Sequence, residues 1–281
     1  MRMREPFRKL IMISNKENNY DLSVIIVNYK SEHYLEQCLA SIYRTIGGQM
    51  SFEIIIVNNY PEEKLEKIRQ SFPGTKVIVS SKNGGFGQGN NVGAWEASGE
   101  YLWLLNPDTE VITGDLRSVM EEFRQNAGLG ALGCCLMTEY GKIQEWGAGT
   151  EITLWDLLKN NLGICASRKI WESGNRQEAA WVAGTALFVR KDLFLGIGGI
   201  DEDIFMYFED VDLCKRIREA GRQVFYFPEI KILHKCGGSY GEDGKKRQKQ
   251  NYYDSLVYYF KKHRPRLETS IVKTLRKSFF N

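Results

Sequence analysis

"LSVIIVNY", from Leu22 to Tyr29, decides how this chain folds. It is an unbroken apolar run rich in β-branched residues, closed by an asparagine and a tyrosine. A strand with one wet face alternates apolar and polar residues; a continuous run marks a strand covered on both faces. "FEIIIVNN" (Phe52 to Asn59) repeats the pattern, and "KVIVS" (Lys76 to Ser80) and "YLWLL" (Tyr101 to Leu105) supply a third and a fourth strand. Helical stretches fall between them. Leu35, Cys38, Leu39 and Ile42 share one face after Ser31, a capping residue. Pro61 opens a short charged helix, another spans Gln88 to Ala97, and a fourth spans Asp115 to Gln125. Strands alternating with helices imply an α/β domain, a mostly parallel central sheet flanked by helices.

In such sheets ligands bind outside the carboxyl ends of the strands. Those ends are Asn28-Tyr29, Asn58-Asn59, Ser80 to Asn83 and Asn106-Pro107-Asp108, all polar and suited to a polar ligand. The second half is less regular. "LGALGCCLM" and "AAWVAGTALFVR" read as strands, "KDLFLGIGG" as a short helix closed by glycines, "RQVFYFP" and "IKILHK" as two further strands. Helices over Tyr252 to Lys262 and Leu267 to Phe279 finish the chain.

The hydrophobic fraction of 43% and net charge of +3 suit a soluble globular protein. The charge is uneven. From Lys245 onward the only acids are Asp254 and Glu268 among many Lys and Arg. Such a tail suits nucleic acid, an anionic membrane surface or simple solvation. None of Cys38, Cys134, Cys135, Cys165, Cys214 and Cys236 forms a C-x-x-C pair, so they read as buried thiols in a reducing compartment. The opening "MRMREPFRKLIMIS" lacks a signal peptide's apolar core, and no run approaches the roughly 20 apolar residues that span a bilayer. A cytoplasmic protein is expected.

"NGGFGQGNNVG" (Asn83 to Gly93) is Gly-rich before a helix, but follows the third strand and lacks the G-x-G-x-x-G spacing; no G-K-[ST] is present either. A dinucleotide-binding dehydrogenase and a P-loop ATPase are thereby disfavoured. In "YLWLLNPDTEV" Pro107 stops the strand and sets the direction of Asp108, a carboxylate placed for a hard divalent cation or a plain polar turn. His234 follows an apolar strand and precedes two glycines. "FMYFEDVDLCKRIREAG" (Phe205 to Gly221) sets Glu209, Asp210 and Asp212 where aromatics meet a helix start. Acids stabilise a helix N-terminus whatever else they do.

The order of these pieces resembles the family 2 inverting glycosyltransferases with the GT-A fold, most of all their rhamnosyltransferase-like branch. The matching segments are "LSVIIVNYKSEHYLEQCLASI", "EIIIVNN", "SKNGGFGQGNNVGAWEASGEYLWLLNPDTEV", "GTALFVRKDLF", "GGIDEDIFMYFEDVDLCKRIREAG" and "ILHKCGGS". The resemblance implies an N-terminal extension (1–20), a GT-A domain (21–244) with its nucleotide-binding half near 21–110 and its acceptor half near 111–244, and a basic helical tail (245–281). It implies that Tyr29 and Asn58 meet the nucleotide base, and that Asn83, Gly85, Phe86, Asn91 and Pro107 border the donor. Asp108 and His234 would hold a divalent metal, Mg or Mn. Asp210 would be the catalytic base, with Trp181, Gly184 and Glu209 on the acceptor side, and Asp212 either there too or supporting the helix start. Two departures from the family pattern matter. Its D-x-D reads Asn106-Pro107-Asp108, and an acid usual after the second strand is Asn58. Tyr60-Pro61 also stands where small polar residues are usual.

The implied reaction moves a sugar, rhamnose by resemblance, from a dTDP- or UDP-linked donor to a saccharide or lipid-linked saccharide in cell-surface polysaccharide synthesis. At an ordinary aspartate pKa of about 4, Asp210 would be ionised at neutral pH without special tuning. A sugar-nucleotide binding module without turnover is the competing class. A nucleic-acid binder would leave the polar strand ends unexplained, so no nucleic-acid partner is expected. The tail reads as a contact with the inner face of a membrane, or as a helix packed on the domain or on a second copy in a homo-oligomer.

Overall fold

The computed structural model describes residues 20–280 apart from 47, 49 and 236–241, with only the backbone of 242–245 and 277–280. The N-terminal extension, Cys236 and the glycines after it therefore lie outside the described residues. The chain runs β1 (Tyr20–Asn28), α1 (Glu32–Ile46), β2 (Phe52–Asn58), α2 (Glu66–Ser71), β3 (Lys76–Val79), α3 (Gly85–Glu96), β4 (Gly99–Leu105), β5 (Thr109–Thr113), α4 (Leu116–Gln125) and β6 (Leu129–Met137). It continues β7 (Ala148–Gly149), α5 (Leu154–Asn161), α6 (Arg168–Trp171), β8 (Gln177–Glu178), β9 (Trp181–Val182), β10 (Ala186–Arg190), α7 (Lys191–Gly196), α8 (Glu209–Glu219), β11 (Gln223–His234), α9 (Glu242–His263) and α10 (Arg266–Phe280).

A nine-stranded sheet has the order β3-β2-β1-β4-β10-β6-β11-β5, with β8 on β11, while β7 and β9 pair separately. β1, β2, β3 and β4 are parallel neighbours. β10 runs against both β4 and β6, so β6 and its parallel partner β11 point the same way as β4. The carboxyl ends of β1 to β4, β6 and β11 therefore share one edge. The unbroken apolar runs have the expected cause. Leu22, Val24 and Ile26 face a core shared with α1 and α4, whereas Ile25 faces a second core shared with α3, α7, α8 and α9. Trp103 of β4 stacks on Phe188 of β10 at 4.6 Å, filling the middle of the sheet.

Several boundaries differ from the sequence reading. Pro61 opens a turn and not a helix; α2 starts at Glu66 after Leu65, whose φ is +54°. The Ser31 hydroxyl turns back to donate to the Tyr29 carbonyl (2.9 Å). The two strands expected around Pro228 are one strand, β11, whose register against β6 shifts between Phe227 and Lys231. That bulge accommodates a proline that cannot donate to the ladder. Cys38, Cys134, Cys135, Cys165 and Cys214 are unpaired. Burial pushes the Cys38 and Cys214 thiols up to about 12, which makes them inert core residues. No helix among the described residues is long and apolar enough to cross a membrane.

The basic tail packs on the domain. Leu256, Tyr259, Phe260 and Val272 are buried in the second core, and Asp212 of α8 meets Lys262 and His263 of α9, each at 2.6 Å.

Candidate active site

The sequence delivers the carboxylates of α8 through an unusual turn. Tyr207 and Phe208, just before the helix, both have positive φ (66° and 65°). Left-handed backbone costs a bulky residue roughly 1–2 kcal/mol, so two in succession persist only where the surroundings impose them. Phe208 is buried against Tyr252 and Tyr259 of α9 (5.3 and 5.7 Å between centroids), which supplies that constraint. The turn sets Glu209 and Asp210 at the helix start, against the sheet edge.

Asp210 is half-buried and held at both oxygens: Gly184 N–H donates to Oδ2 (2.9 Å) and its neighbour Val211 N–H to Oδ1 (2.8 Å). A Cβ at Gly184 would lie 3.2 Å from the Phe86 ring and 3.4 Å from Asp210 Cβ, so glycine lets the three pack closely. Burial pushes the Asp210 carboxyl above the usual range, and the two N–H donors only partly offset it. That differs from the sequence expectation of an untuned aspartate. Glu209 is buried, and its Oε2 has no hydrogen-bond partner. Burial, then the negative charge of Asp210, push it up to about 8.

A cavity of about 850 Å³ brings Glu209 and Asp210 together with Phe86, Asn106, Trp181, Gly184 and His234. Asp108 touches that wall through His234, with Nε2 3.4 Å from Oδ1. His234 Nδ1 is 2.9 Å from Oε1 of Gln144, which fixes the ring. Trp181 is anchored by Nε1–H donating to the Thr150 carbonyl (3.0 Å). Trp146, Tyr252 and Tyr253 complete the wall.

Three of the implied positions are committed to partners within the chain. Asn58 is buried and committed internally: Oδ1 accepts from Asn28 Nδ2 (2.9 Å) and Tyr60 N–H (3.1 Å), while Nδ2 donates to the Glu63 carbonyl (2.7 Å). These bonds shape the loop after β2. Asn91 clamps the loop before α8, exchanging two bonds with Ile200, both 2.8 Å, and donating to Glu202 (3.0 Å). Asp212 is fully buried among Arg216 of its own helix (2.7 Å) and Lys262 and His263 of the tail. Asn83 and Gly85 lie at the strand edge, bound to one another and to Asn59. Tyr29 is exposed at the tip of β1, edge-to-face with Tyr60 at 5.6 Å, with Lys30 over both rings. Pro107 lies in the turn between β4 and Asp108.

Gln144, Trp146, Tyr252 and Tyr253 carry no sequence signal that would have singled them out, because their place depends on how the later segments wrap the sheet edge. Among the described residues no group of three or more His, Cys, Asp or Glu gathers as a metal site. The Asp108–His234 pair offers one oxygen and one nitrogen. That suits a divalent ion taking its remaining ligands from water and from phosphate oxygens of a substrate.

The comparisons agree with this architecture. The model of the family described as "Glycosyl transferase family 2" matches residues 23–181. The N-acetylglucosaminyl-diphospho-decaprenol L-rhamnosyltransferase of Mycobacterium tuberculosis (strain ATCC 25618 / H37Rv) is 24% identical over 262 residues, covering 86% of this chain and 85% of that protein. Rhamnosyltransferase WbbL of Escherichia coli (strain K12) is 27% identical over 220 residues, 75% of this chain and 82% of that one. Among solved structures, GalNAc-T7 with UDP, GalNAc and Mn2+ superposes with a TM-score of 0.61 at 17% identity, covering 78% of this chain and 44% of that chain.

Proposed function

Since the chain belongs to glycosyl transferase family 2, we propose that it transfers a deoxyhexose, rhamnose first among candidates, from a nucleoside-diphosphate donor to a lipid-linked saccharide with inversion. The Mycobacterium tuberculosis relative, an N-acetylglucosaminyl-diphospho-decaprenol L-rhamnosyltransferase by name, supports the lipid-linked acceptor class, and both relatives support rhamnose, in keeping with cell-surface polysaccharide synthesis. One observation carries the reading: Asp210 is held by two backbone N–H groups in a cavity that also holds His234, the partner of Asp108.

Asp210 takes the proton from the acceptor hydroxyl as that oxygen attacks the anomeric carbon. The bond from that carbon to the diphosphate oxygen breaks on the opposite face, and its electron pair leaves with the nucleoside diphosphate. Burial raises the basicity of Asp210, and Gly184 and Val211 fix its orientation. General-base help of this kind is worth ~10²–10⁴-fold. Asp108 and His234 would hold a divalent cation, which supplies positive charge to the diphosphate when bound. The exposed Tyr29 and the half-buried Tyr60 offer aromatic surface to the base at the tips of β1 and β2. The apolar cavity wall from Trp146 to Leu275 suits an acceptor with a large non-polar part.

A thermal-shift panel of dTDP-rhamnose and UDP-sugars, with and without Mn²⁺, tests the donor side. A true ligand at a hundred times its Kd stabilises by ~2.7 kcal/mol. The shift should need Mn²⁺ in the wild type and vanish in Asp108→Ala. Equal shifts in both proteins would refute the metal assignment, and no shift with any nucleotide sugar would refute the donor class.

A further inference from the structure

Helix α5 is a helix without a buried residue. It is well made: Thr153 accepts from Asp156 N–H (3.1 Å), and Asp156 accepts from Thr153 N–H (3.2 Å), a reciprocal cap. One side, with Asp156, Leu157, Asn160 and Asn161, lines the cavity. The other side is apolar and faces solvent. Trp155, Leu158 and Leu162 are three and seven residues apart, hence on one stripe, and are 63%, 39% and 77% exposed. Ile164, just beyond, is 58% exposed.

The stripe has a neighbour. Glu268 of α10 accepts from Leu154 N–H (3.4 Å), which sets α10 beside the start of α5. On α10, Leu267 and Ile271 are exposed one turn apart. The charges around these residues are positive. Lys159 lies 5.5 Å from the Trp155 ring, Arg266 and Lys273 are exposed, and among the described residues none of the three pairs with a carboxylate. The nearby acids are occupied, Asp156 in its cap and Glu268 with Arg264 (2.9 Å).

We infer that α5 and α10 form a membrane-docking lip, in which Trp155, Leu158, Leu162, Ile164, Leu267 and Ile271 enter the headgroup region of an anionic bilayer while Lys159, Arg266 and Lys273 meet its phosphates. Shallow insertion of apolar side chains flanked by cations is how an interfacial helix holds a surface without crossing it. The inference rests on the reading of the cleft as the site of a lipid-linked acceptor. It explains why one helix lines the cleft on one side and is greasy on the other: the lip brings the cavity mouth to the surface from which such an acceptor projects. A second copy of the chain would also cover apolar residues, but it carries the same uncompensated cations and would set them against one another.

The test is flotation of the full chain with phosphatidylglycerol vesicles and with phosphatidylcholine vesicles, in the absence of donor and acceptor, so that its result is independent of sugar transfer. The wild type should float with phosphatidylglycerol and far less with phosphatidylcholine, and 0.5 M salt should weaken binding, at about one Debye length of 4 Å. The triple variant Trp155→Ser, Leu158→Ser, Leu162→Ser should bind at least about tenfold more weakly. Leu162→Glu, past the helix end, is the second variant should the triple fail to fold. Transfer to a short water-soluble acceptor should persist in both. No flotation of the wild type, undiminished flotation of a folded variant, or a wild-type dimer that the variant dissociates would each overturn the inference.

Discussion

Asp210 and Asp212 stand two residues apart on α8 and live in opposite electrostatic worlds. The first faces the cleft, takes only two backbone N–H bonds and is pushed up by burial. The second faces the tail. Burial pushes it up as well, but His263, Arg216 and Lys262 together hold it well below the usual carboxylate range. A carboxylate surrounded by cations is a poor base, because the proton it would take is repelled by the same charges. One without a cation close by keeps its basicity and is stabilised by accepting a proton. The same turn of helix thus carries a reactive group and a fastening for the tail, and the difference lies in neighbours and not in residue type.

The largest effect expected from breaking this pairing is at Asp210. Asp210→Asn keeps the shape and one acceptor oxygen but cannot take a proton, so kcat should fall by ~10²–10⁴. Nucleotide-sugar shifts in melting temperature should be unchanged. A rate within threefold of wild type, by product formation under saturating donor, would mean that Asp210 is not the base. Asp212→Asn probes the other side. It leaves Arg216 without its buried counter-charge and His263 without its carboxylate partner, while Lys262 keeps Asp201 (2.6 Å), and should cost ~3–5 kcal/mol in urea unfolding. A loss below 1 kcal/mol would demote the cluster to an ordinary surface pairing.

How much of this was legible follows from where the information sits. β1, β2, β4 and β6 could be read because burial on both faces writes itself as an apolar run. The helix α3 was misplaced at its start, which lies at Gly85 and not Gln88. Its glycines argue against helix by propensity, yet a Cβ at Gly89 would sit 2.7 Å from Val27 and one at Gly93 2.4 Å from Ile25. They are there because α3 presses against the sheet, a tertiary cause that a local pattern does not carry. Asp210 and His234 stood out by motif. The consecutive left-handed Tyr207 and Phe208 did not, since aromatic residues seldom adopt that backbone. The internal bonds of Asn58 were hidden for a related reason: an amide can satisfy its neighbours internally, and nothing in its spacing says that it has done so.

Gly184 separates a steric from an electrostatic account of the cleft. Its φ is not positive, so alanine fits the backbone, and the N–H donated to Asp210 remains. The new methyl would press on Phe86 at 3.2 Å and on Asp210 Cβ at 3.4 Å. A displacement of a few tenths of an ångström should lower kcat about tenfold, given that 1 Å can cost ~10². Wild-type kinetics would show that Asp210 tolerates movement. A loss as large as that of Asp210→Asn would show that the pocket itself had collapsed.

The smallest expected effect concerns Glu209, and its sign distinguishes it from Asp212. In the unfolded chain its carboxyl has an ordinary pKa of 4.5, and in the fold burial and then Asp210 push it up to about 8. Between those values the native state holds a proton that the unfolded chain has released, so stability falls as pH rises across that window. Asp212, with a lowered carboxyl, loses its contribution in the opposite direction, as acid protonates it. Glu209→Gln removes the first dependence and leaves the second. Its melting temperature should match wild type near pH 4.5 and exceed it by a few degrees at pH 8.5, with kcat moving less than in Asp210→Asn. Parallel wild-type and variant curves across that range would mean that Glu209 ionises freely and that its unpartnered oxygen reaches water.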